Sequence, residues 1–433
     1  MKKSTIARAL AALFLASSTV PALATDGYFS HGYGIKAQGM GGASVALAED
    51  AFGGANNPAS AAFAGGRLDL GLTWFSPRRQ VERSGSAGGL DLAQESGSTN
   101  FFVPEFAYNQ MLSPNLAVGV AVYGNGGMNT DWAGGVLNCG MGPNTANALC
   151  GSGRLGVDLS QLLIAPTVAY KFNAQHALGV SPLIAFQRFK AQGLHAFDNA
   201  PGFPPFTSSP GNVTNRGYDS SLGYGLRLGY QGRLSEVVSI GVTYASKIKM
   251  DKFDKYRGLF ADAGGFDIPE HYAIGVALRP MPGWLVALDL ERINYSGVNS
   301  VGNPSSVPLP LGAANGPGFG WQDVDVLRLG VQWQMNERLA LRAGYNRSDN
   351  PVRASDVTFN ILAPGVVRDH LTLGATYALG PTSEISLAYM HAFKHSVTGS
   401  SMFNGLGFGP TFGGTEKISM YQNSLGLAWA TRF

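Results

Sequence analysis

Residues 270–294 have the sequence EHYAIGVALRPMPGWLVALDLERIN, in which large apolar residues alternate with small or polar ones on both sides of a short turn at Met281-Pro282. Before the turn, one face of the alternation holds Tyr272, Ile274, Val276 and Leu278, and the other holds Ala273, Gly275 and Ala277. A period of two is that of a β-strand, and two strands joined by a few residues form an antiparallel hairpin. A face of large apolar residues opposite a face of small ones is typical of a strand in a transmembrane β-barrel.

The same pattern recurs from residue 67 to the C-terminus and predicts fourteen strands. We place them at 67–76, 101–110, 115–124, 157–172, 176–189, 218–231, 236–247, 270–280, 283–294, 322–335, 337–347, 369–379, 383–394 and 420–433. Six short turns between these strands alternate with seven long loops. Bacterial single-chain barrels have an even number of strands, short periplasmic turns and long extracellular loops. The sequence therefore predicts an all-β fold, a 14-stranded antiparallel transmembrane β-barrel.

The last predicted strand carries a further signal of the same class. Leu425, Leu427, Trp429 and Phe433 share one face, and the chain ends on that phenylalanine. Outer-membrane barrels typically end on such an alternating strand, so we expect Phe433 to be recognised by the barrel-assembly machinery.

The composition fits a barrel in lipid better than a soluble domain. Charged residues make up 14% of the chain, against about 25% in soluble domains. After Ala24 no run of 18 or more apolar residues occurs, which argues against helical membrane spans. The formal net charge of +3 is too small to indicate a nucleic-acid partner.

The N-terminus predicts export. Lys2 and Lys3 precede an apolar segment at 6–16, and Ala22-Leu23-Ala24 forms a small-residue cleavage site. We interpret residues 1–24 as a cleaved signal peptide, with a retained membrane anchor as the alternative. The predicted location is the Gram-negative bacterial outer membrane.

Residues 25–65 do not alternate, and they are too poor in large apolar residues to form a core alone. The small residues on one face of the predicted strands leave room inside the barrel. We therefore predict that 25–65 forms an N-terminal hatch, or plug, in the lumen of a barrel formed by 66–433.

Two cysteines, Cys139 and Cys150, lie in a predicted extracellular loop. Because an exported chain meets an oxidising periplasm, we predict that they form a disulfide. Closing this short loop would contribute about 2–3 kcal/mol in the chain-entropy model.

Several motifs resemble the FadL-like (OmpP1/FadL/TodX) family of outer-membrane transporters for long-chain fatty acids and hydrocarbons. The hatch carries a glycine-rich run at 39–42 and Asn57-Pro58-Ala59, and the later chain carries LRAGY at 341–345, DNPV at 349–352 and YMH at 389–391. The resemblance covers essentially the whole mature chain. It implies a hatch inside a fourteen-strand barrel, capture of ligand at the extracellular loops, and sideways exit through a gap at a kinked third strand.

Two groups of hatch and wall residues are candidate site residues on this basis. The hatch motif comprises Gly41, Gly42, Asn57, Pro58 and Ala59, in which the Asn57 amide can bridge backbone groups and hold the hatch to the wall. The lateral opening is placed at Gly124, Gly126 and Gly127, since glycine is expected where strand pairing breaks. The alternative is that these glycines only begin an extracellular loop.

Strand parity also predicts a set of inward-facing charges, which are Glu105, Arg227, Asp289, Glu291, Arg328 and Arg342. Those at 289–342 lie on three adjacent strands and are expected to pair across the wall. One interpretation is a structural ion-pair ladder that holds the plug. The other is that one arginine binds a fatty-acid carboxylate through a bidentate contact.

The partners expected are a hydrophobic ligand (fatty acid or hydrocarbon) and the lipids and lipopolysaccharide of the outer membrane. Arg188 and Lys190 lie where the fifth strand leaves the membrane and are expected to snorkel or to contact lipopolysaccharide phosphates. The loop aromatics Phe203, Phe206, Phe260 and Phe266 are candidates for an apolar ligand catchment, with packing at the lipid edge as the alternative.

Two other function classes are less consistent with the sequence. An enzyme would need a nucleophile motif or a metal-spaced histidine cluster, and we find neither, so no catalytic residue, cofactor or metal is predicted. A general porin needs an open polar lumen, which the hatch would block.

Overall fold

We describe the chain from a computed structural model that covers residues 26–139, 144–199, 206–405 and 409–433. The predicted signal peptide (1–24), the first hatch residue Thr25 and the loop residue Phe203 lie outside the described residues.

The wall of the molecule is one antiparallel sheet of fourteen long strands that closes on itself. The strands are β1 Arg67–Ser84, β2 Phe101–Met111, β3 Leu116–Asn129, β4 Gly156–Lys171, β5 His176–Gln192, β6 Asp219–Arg233, β7 Val238–Ala245, β8 His271–Leu278, β9 Trp284–Ile293, β10 Val324–Gln334, β11 Leu339–Ser348, β12 Asp369–Ala378, β13 Ser383–Ser400 and β14 Thr415–Arg432. Closure comes from β1 and β14, which pair without a break from Arg67↔Arg432 to Ser84↔Thr415. The predicted all-β barrel and its strand count are confirmed.

Smaller elements decorate the loops and the lumen. Two short strands add to the sheet, Leu92–Glu95 on β1 and Lys249–Met250 on β6. The α-helices are Ile35–Gly39, Ala61–Ala64, Ala261–Gly264 and Asn299–Gly302, and the 3-10 helices are Phe52–Gly54, Pro58–Ser60, His195–Phe197, Asp254–Tyr256, Tyr295–Gly297, Ala354–Asp356, Phe359–Ile361 and Met402–Gly405. In the described part of the chain, none of the helices has the length and apolar character needed to cross a membrane.

Besides β3, which runs to Asn129 rather than to 124, three strands are at least five residues longer than predicted at their extracellular ends. β1 continues to Ser84, β13 to Ser400, and β14 begins at Thr415. Their outer face there carries exposed polar residues such as Arg78 and Glu82, so the apolar alternation that marks a strand in lipid is absent. The strand pairing extends past the apolar band, which hydrophobic periodicity alone does not detect.

The two faces of the wall differ as the alternation predicts. On β6, Tyr224 is 62% exposed and Leu228 46% exposed, on the face that a bilayer would cover. The opposite face carries glycines that the hatch approaches closely. A Cβ on Gly344 would lie 2.1 Å from the Gly41 nitrogen, and a Cβ on Gly241 would lie 2.0 Å from the Val45 oxygen. The small inner face is therefore the surface on which hatch backbone packs.

Cys139 and Cys150 form the predicted disulfide, with an S–S distance of 2.07 Å. It closes an eleven-residue separation in the loop between β3 and β4.

Candidate transport site: the hatch, its charged contacts and a gap in the wall

The Asn57-Pro58-Ala59 motif lies against the inner wall at the start of a 3-10 helix. The buried Asn57 side chain donates from Nδ2 to the carbonyl oxygen of Val45 in the hatch (2.8 Å) and to that of Tyr230 in β6 (2.9 Å). Its Oδ1 accepts from the Ala59 amide at 3.1 Å. One side chain thus joins two parts of the hatch to the barrel wall, and an Asn→Ala change at this position would remove all three hydrogen bonds.

The hatch glycines occupy places that no other residue fits. Gly41 and Gly42 have φ values of 68° and 89°, and a Cβ on Gly42 would lie 1.6 Å from the His31 oxygen. The Gly41 amide donates to the hydroxyl of Thr372 on β12 at 2.9 Å. The left-handed backbone here lets the hatch turn tightly against the wall.

Arg328 on β10 connects the wall to the start of the hatch. It pairs with Glu291 on β9 and with the hatch residue Asp26, whose Oδ2 lies 2.8 Å from Arg328 Nη2. Glu291 also accepts from His271 Nδ1 at 2.7 Å. All four groups are buried, so the Arg328 charge is neutralised by acids from both the wall and the hatch.

Asp289 and Glu105 bond to hatch backbone rather than to a cation. Asp289 accepts from the amides of Ser44 (2.7 Å) and Val45 (2.9 Å). Glu105, on β2, accepts from the amide of Gly34 at 3.1 Å. Carboxylates that receive backbone N–H groups hold a loop without needing a charged partner.

Arg227 on β6 holds the hatch by donating to its carbonyl groups, whereas the two acids accept from its amides. Its Nη1 donates to the oxygens of Gly54 (2.7 Å) and Ala55, and to the hydroxyl of Tyr123 on β3 at 3.0 Å. Its Nη2 lies 3.2 Å from His271 Nε2. This arginine therefore connects the hatch, β3 and β8.

Arg342 does not join the expected ladder across β9 to β11. Its partner is the Thr376 hydroxyl at 2.6 Å. The reason is register, since β11 places Asn346 opposite Arg328 and places Arg342 opposite Gln332. The prediction that all four charges on these strands pair with one another was therefore right for Glu291 and Arg328 and wrong for Arg342 and Asp289.

A second ion-pair cluster was not predicted. The hatch residue Lys36 pairs with Glu384 on β13 at 2.6 Å, and Arg67 on β1 pairs with Asp69 (2.7 Å) and with Glu384 (2.9 Å). Arg67 and Asp69 share the inner parity of the first strand. Their shared parity could have indicated this cluster from the sequence. It was not used because strand ends are uncertain and because Lys36 lies outside any strand.

The pKa of His31 in the hatch is set by its surroundings. His31 is fully buried and stacks on His370 with ring centroids 6.3 Å apart. Burial, with a smaller contribution from His370, lowers the pKa of His31 to about 4. The docked hatch therefore contains a neutral histidine at pH 7.

The beginning of the described hatch lies in an aromatic cluster. The Tyr28 ring lies 5.1 Å from Tyr295, 5.8 Å from Trp321 and 6.3 Å from Phe266, measured between centroids. The Tyr295 hydroxyl accepts from the Tyr28 amide (3.2 Å) and donates to the Asp26 carbonyl (2.5 Å). Sequence reasoning missed this cluster because Tyr295 and Trp321 lie in a loop or at its edge.

The wall pairing between β2 and β3 is incomplete. The two strands pair only from Phe106↔Val122 to Met111↔Ala117, so the segments 101–105 and 123–129 have no partner across this seam. β3 still pairs with β4, with a bulge between Gly124 and Gly126. The three glycines proposed for the lateral opening lie at this place.

The hatch takes the position that β2 leaves on β3. The Ser30 amide donates to the Asn125 oxygen at 3.1 Å, and the Gly127 amide donates to the Tyr28 oxygen at 3.2 Å. On its side toward the seam, β3 therefore pairs with β2 over its first residues and with the beginning of the hatch over its last residues. The seam is covered by side chains, and a Cβ on Gly124 would lie 2.9 Å from Val103 Cγ1.

Several loop expectations need correction. Phe260 and Phe266 are buried, at 4% and 1% exposure, rather than open to incoming ligand, because they pack against each other at 4.8 Å. Phe206 is half-buried and contacts Phe197 at 5.7 Å. An apolar pocket does exist between the loops, lined mainly by Leu149, Leu194, Phe197, Leu259, Phe359 and Met402.

The outward-facing cations contact an aromatic ring. The Arg188 guanidinium lies 3.9 Å and the Lys190 ammonium 4.9 Å from the ring centroid of Tyr218. Contact with lipopolysaccharide stays a prediction. Within the described ranges, no group of three or more His, Cys, Asp or Glu side chains is arranged to hold a metal ion.

Comparisons with known proteins agree with this geometry. A family model described as outer membrane protein transport protein (OMPP1/FadL/TodX) matches residues 24–428. The crystal structure of the Pseudomonas putida toluene transporter TodX is similar, with a TM-score of 0.69 and 19% identity over 93% of this chain and 99% of that one. A Pseudomonas aeruginosa FadL homologue gives a TM-score of 0.67 and 15% identity over 94% of this chain and 100% of that one.

One curated relative also matches. Alkane uptake protein A of Marinobacter nauticus is 27% identical over 110 residues, which are 25% of this chain and 24% of that protein. The chain thus aligns with only about a quarter of the length of this relative. With the closed barrel and the match across nearly the whole sequence, the chain belongs to the OmpP1/FadL/TodX family of outer-membrane transport proteins for hydrophobic compounds, which are transporters and not enzymes.

Proposed function

We propose that this protein takes up hydrophobic small molecules passively across the outer membrane, with long-chain fatty acids as its main substrates, by rearranging the hatch and releasing ligand sideways through the wall. The observation that carries the proposal is the combination of a filled lumen with an incomplete β2–β3 seam. The hatch makes hydrogen bonds to residues of many strands, whereas the seam lacks ladder bonds beyond Phe106↔Val122.

A polar diffusion pore fits this arrangement poorly. Two cavities that the hatch lines inside the described part of the barrel have volumes of about 20 and 10 Å³. That is room for about one water molecule each. A hydrated solute could pass only if the whole hatch left the lumen. A ligand that leaves through the seam requires only the first residues of the hatch to move.

The path we propose begins between the extracellular loops and ends in the bilayer. An apolar ligand first enters between the loops at the pocket around Leu149, Phe197 and Met402, which has a volume of about 10 Å³ and must widen to admit it. It then displaces the hatch segment at Tyr28 from Gly127 and passes between β2 and β3. Each methylene moved from water into an apolar site is favourable by about 0.8 kcal/mol, so capture supplies the driving force and no energy source is required.

In this mechanism most of the lumen charges hold the body of the hatch against the wall. Asp289, Glu105 and Arg227 bond to hatch backbone below the aromatic cluster, and they keep the plug in place while its first residues move. The contact between Arg328 and Asp26 lies at the moving end and is the ionic contact that must break.

A second candidate substrate class is neutral hydrocarbons, aromatic or aliphatic. The names of two relatives favour it, since one is a toluene transporter and one an alkane uptake protein. Uptake of labelled oleate and labelled toluene, by cells that lack their own transporter and express this protein, separates the two. Oleate uptake alone supports the fatty-acid proposal, and toluene uptake alone replaces it with the hydrocarbon channel.

Single-channel conductance tests the proposal against a general porin. We expect the folded wild-type protein in a planar bilayer to be electrically silent because the plug fills the lumen. A large, stable conductance would contradict the proposal and support a diffusion pore.

A further inference from the structure

Arg79 is one of three buried arginines in the described part of the barrel, with Arg227 and Arg342, that form no ion pair with a carboxylate. Its side chain is 3% exposed, faces the lumen from β1, and donates from Nη1 to the Ser98 carbonyl at 2.9 Å. Among the described residues no carboxylate lies within 4 Å of its guanidinium. A buried cation without a counter-ion is costly, so what surrounds Arg79 matters.

The other buried cations have different partners. Arg67, Arg83, Arg328 and Lys36 each have a carboxylate within 4 Å. Arg227 is surrounded by hatch carbonyls. Arg342 lacks a direct ion pair, but Glu49 and Asp50 line the same small cavity. Arg79 lies near the aromatic ring of Phe101, 5.9 Å from its centroid.

The place of Arg79 connects it to the seam. It lines a cavity together with Tyr28 of the hatch, with Gly127 and Met128 from the unpaired end of β3, and with Trp321. Met420, which pairs with Arg79 from β14, also lines this cavity, together with Asn129 and the loop residues Ala363, Pro364 and Gly365. Walls that are apolar except for one cationic side chain and the amide of Asn129 match an amphipathic carboxylate, whose head group needs a cation and whose tail needs dry surface.

The cavity is closed to such a ligand while the hatch is docked. Its volume is about 10 Å³, which is space for about one water molecule. Tyr28 forms one wall and also pairs with Gly127. A ligand head group therefore reaches Arg79 only when the Tyr28 segment withdraws, and the same withdrawal uncovers β3 at the seam.

The geometry points to Arg79 as the residue that binds the ligand's carboxylate, so that acids open the hatch at the β2–β3 seam more readily than neutral hydrocarbons of the same length. This inference rests on the transport function proposed above and names its substrate class. The acid gains a charge-assisted contact only in the open state, whereas a neutral chain leaves Arg79 unpaired. A hydrogen bond to a charged group is worth about 1.5–3 kcal/mol, which corresponds to about 10- to 100-fold in affinity.

Uptake of labelled oleate and labelled hexadecane by cells without their own transporter tests the assignment. The variants are Arg79→Gln, Arg79→Lys and the matched control Arg78→Gln, which makes the same change at the next residue on the exposed outer face. Heat-modifiable gel mobility shows that each barrel is folded. We expect Arg79→Gln to lose about 10- to 100-fold of oleate uptake with hexadecane uptake unchanged, Arg79→Lys to keep part of it, and Arg78→Gln to match wild type.

Other outcomes overturn the inference. If Arg79→Gln lowers oleate and hexadecane uptake equally, or lowers neither, Arg79 is not the carboxylate anchor. If the wild type imports hexadecane but not oleate, the anchor is wrong and the proposed transport of hydrophobic compounds stands. If the folded wild type imports neither, the transport proposal itself fails.

Discussion

A disulfide across the β2–β3 seam would test the proposed exit route directly. Val103 on β2 and Gly124 on β3 face each other where the ladder is missing, and a Cβ on Gly124 would lie 2.9 Å from Val103 Cγ1. Adding one C–C bond of about 1.5 Å places the two Cβ atoms at most about 4.4 Å apart. Disulfides have Cβ separations of about 3.5–4.5 Å, so the pair Val103→Cys with Gly124→Cys should close without moving the strands.

The matched control joins the same two strands where they already pair. Ala107 and Ala121 are register partners, and both are buried. A cysteine pair there adds the same chemistry to a seam that is closed in any case. Wild type treated with the same oxidant and reductant controls for the native bond between Cys139 and Cys150.

Uptake of labelled ligand should follow the fraction of protein that remains unlocked. If about nine-tenths of the Val103–Gly124 pair is oxidised, we expect about a tenfold fall in uptake, since a gate that cannot open blocks every passage through it. Reduction should restore uptake, and the control pair should transport at the wild-type rate in both states. Full uptake through the oxidised Val103–Gly124 lock would refute lateral exit and leave a route through the lumen.

Three further changes follow from the contacts of the hatch. Asn57→Ala removes the buried hydrogen bond to the Val45 carbonyl and the bond to Tyr230 in the wall. An unsatisfied buried group costs about 1–3 kcal/mol, so uptake should fall although gel mobility shows an assembled barrel. Wild-type uptake would contradict the role given to Asn57. Gly344→Val places a side chain where the Gly41 nitrogen lies 2.1 Å from the added Cβ, so the hatch should be displaced and conductance should appear in a bilayer that is silent with wild type; continued silence would argue against the close packing. The pKa of His31 is lowered to about 4 in the docked hatch, whereas a released His31 has the ordinary value of about 6.5. Protonation therefore favours the released hatch. Docking should weaken as pH falls from 6.5 to 4, by about 3 kcal/mol at most. Protease sensitivity of the hatch measures this, and a His31→Gln variant whose pH dependence equals that of wild type would exclude His31 as its source.

The wall could be predicted from sequence because lipid imposes a simple rule on it. Residues such as Tyr272, Ile274 and Leu278 face the bilayer at every second position, and each strand crosses a layer of fixed thickness. The strand ends were less certain. Beyond the apolar band the outer face of β1 changes to Arg78 and Glu82, and the alternation that defines a strand in lipid stops although the hydrogen bonds continue.

The interior could be predicted only in part, because contacts there depend on register and on the path of the hatch. Parity placed Arg328 and Glu291 on the same inner face, and register then decided that they pair while Arg342 bonds to Thr376. Nothing in the sequence near Asp26 shows that it reaches Arg328, more than three hundred residues away along the chain. Residues that have no strand parity, such as Lys36, cannot be assigned a wall partner by this reasoning.

The arrangement at β3 suggests why a passive gate can be both closed and easy to open. The end of β3 lacks its neighbour β2 and pairs instead with the backbone of Tyr28 and Ser30. Those few hydrogen bonds are worth about 1 kcal/mol each, far less than the continuous ladder that closes β1 on β14. Below them, Asn57 and the lumen charges hold the rest of the hatch. A ligand therefore needs only to outcompete the Tyr28 segment for the end of β3, and the seam that this segment covers is where the wall is already unpaired.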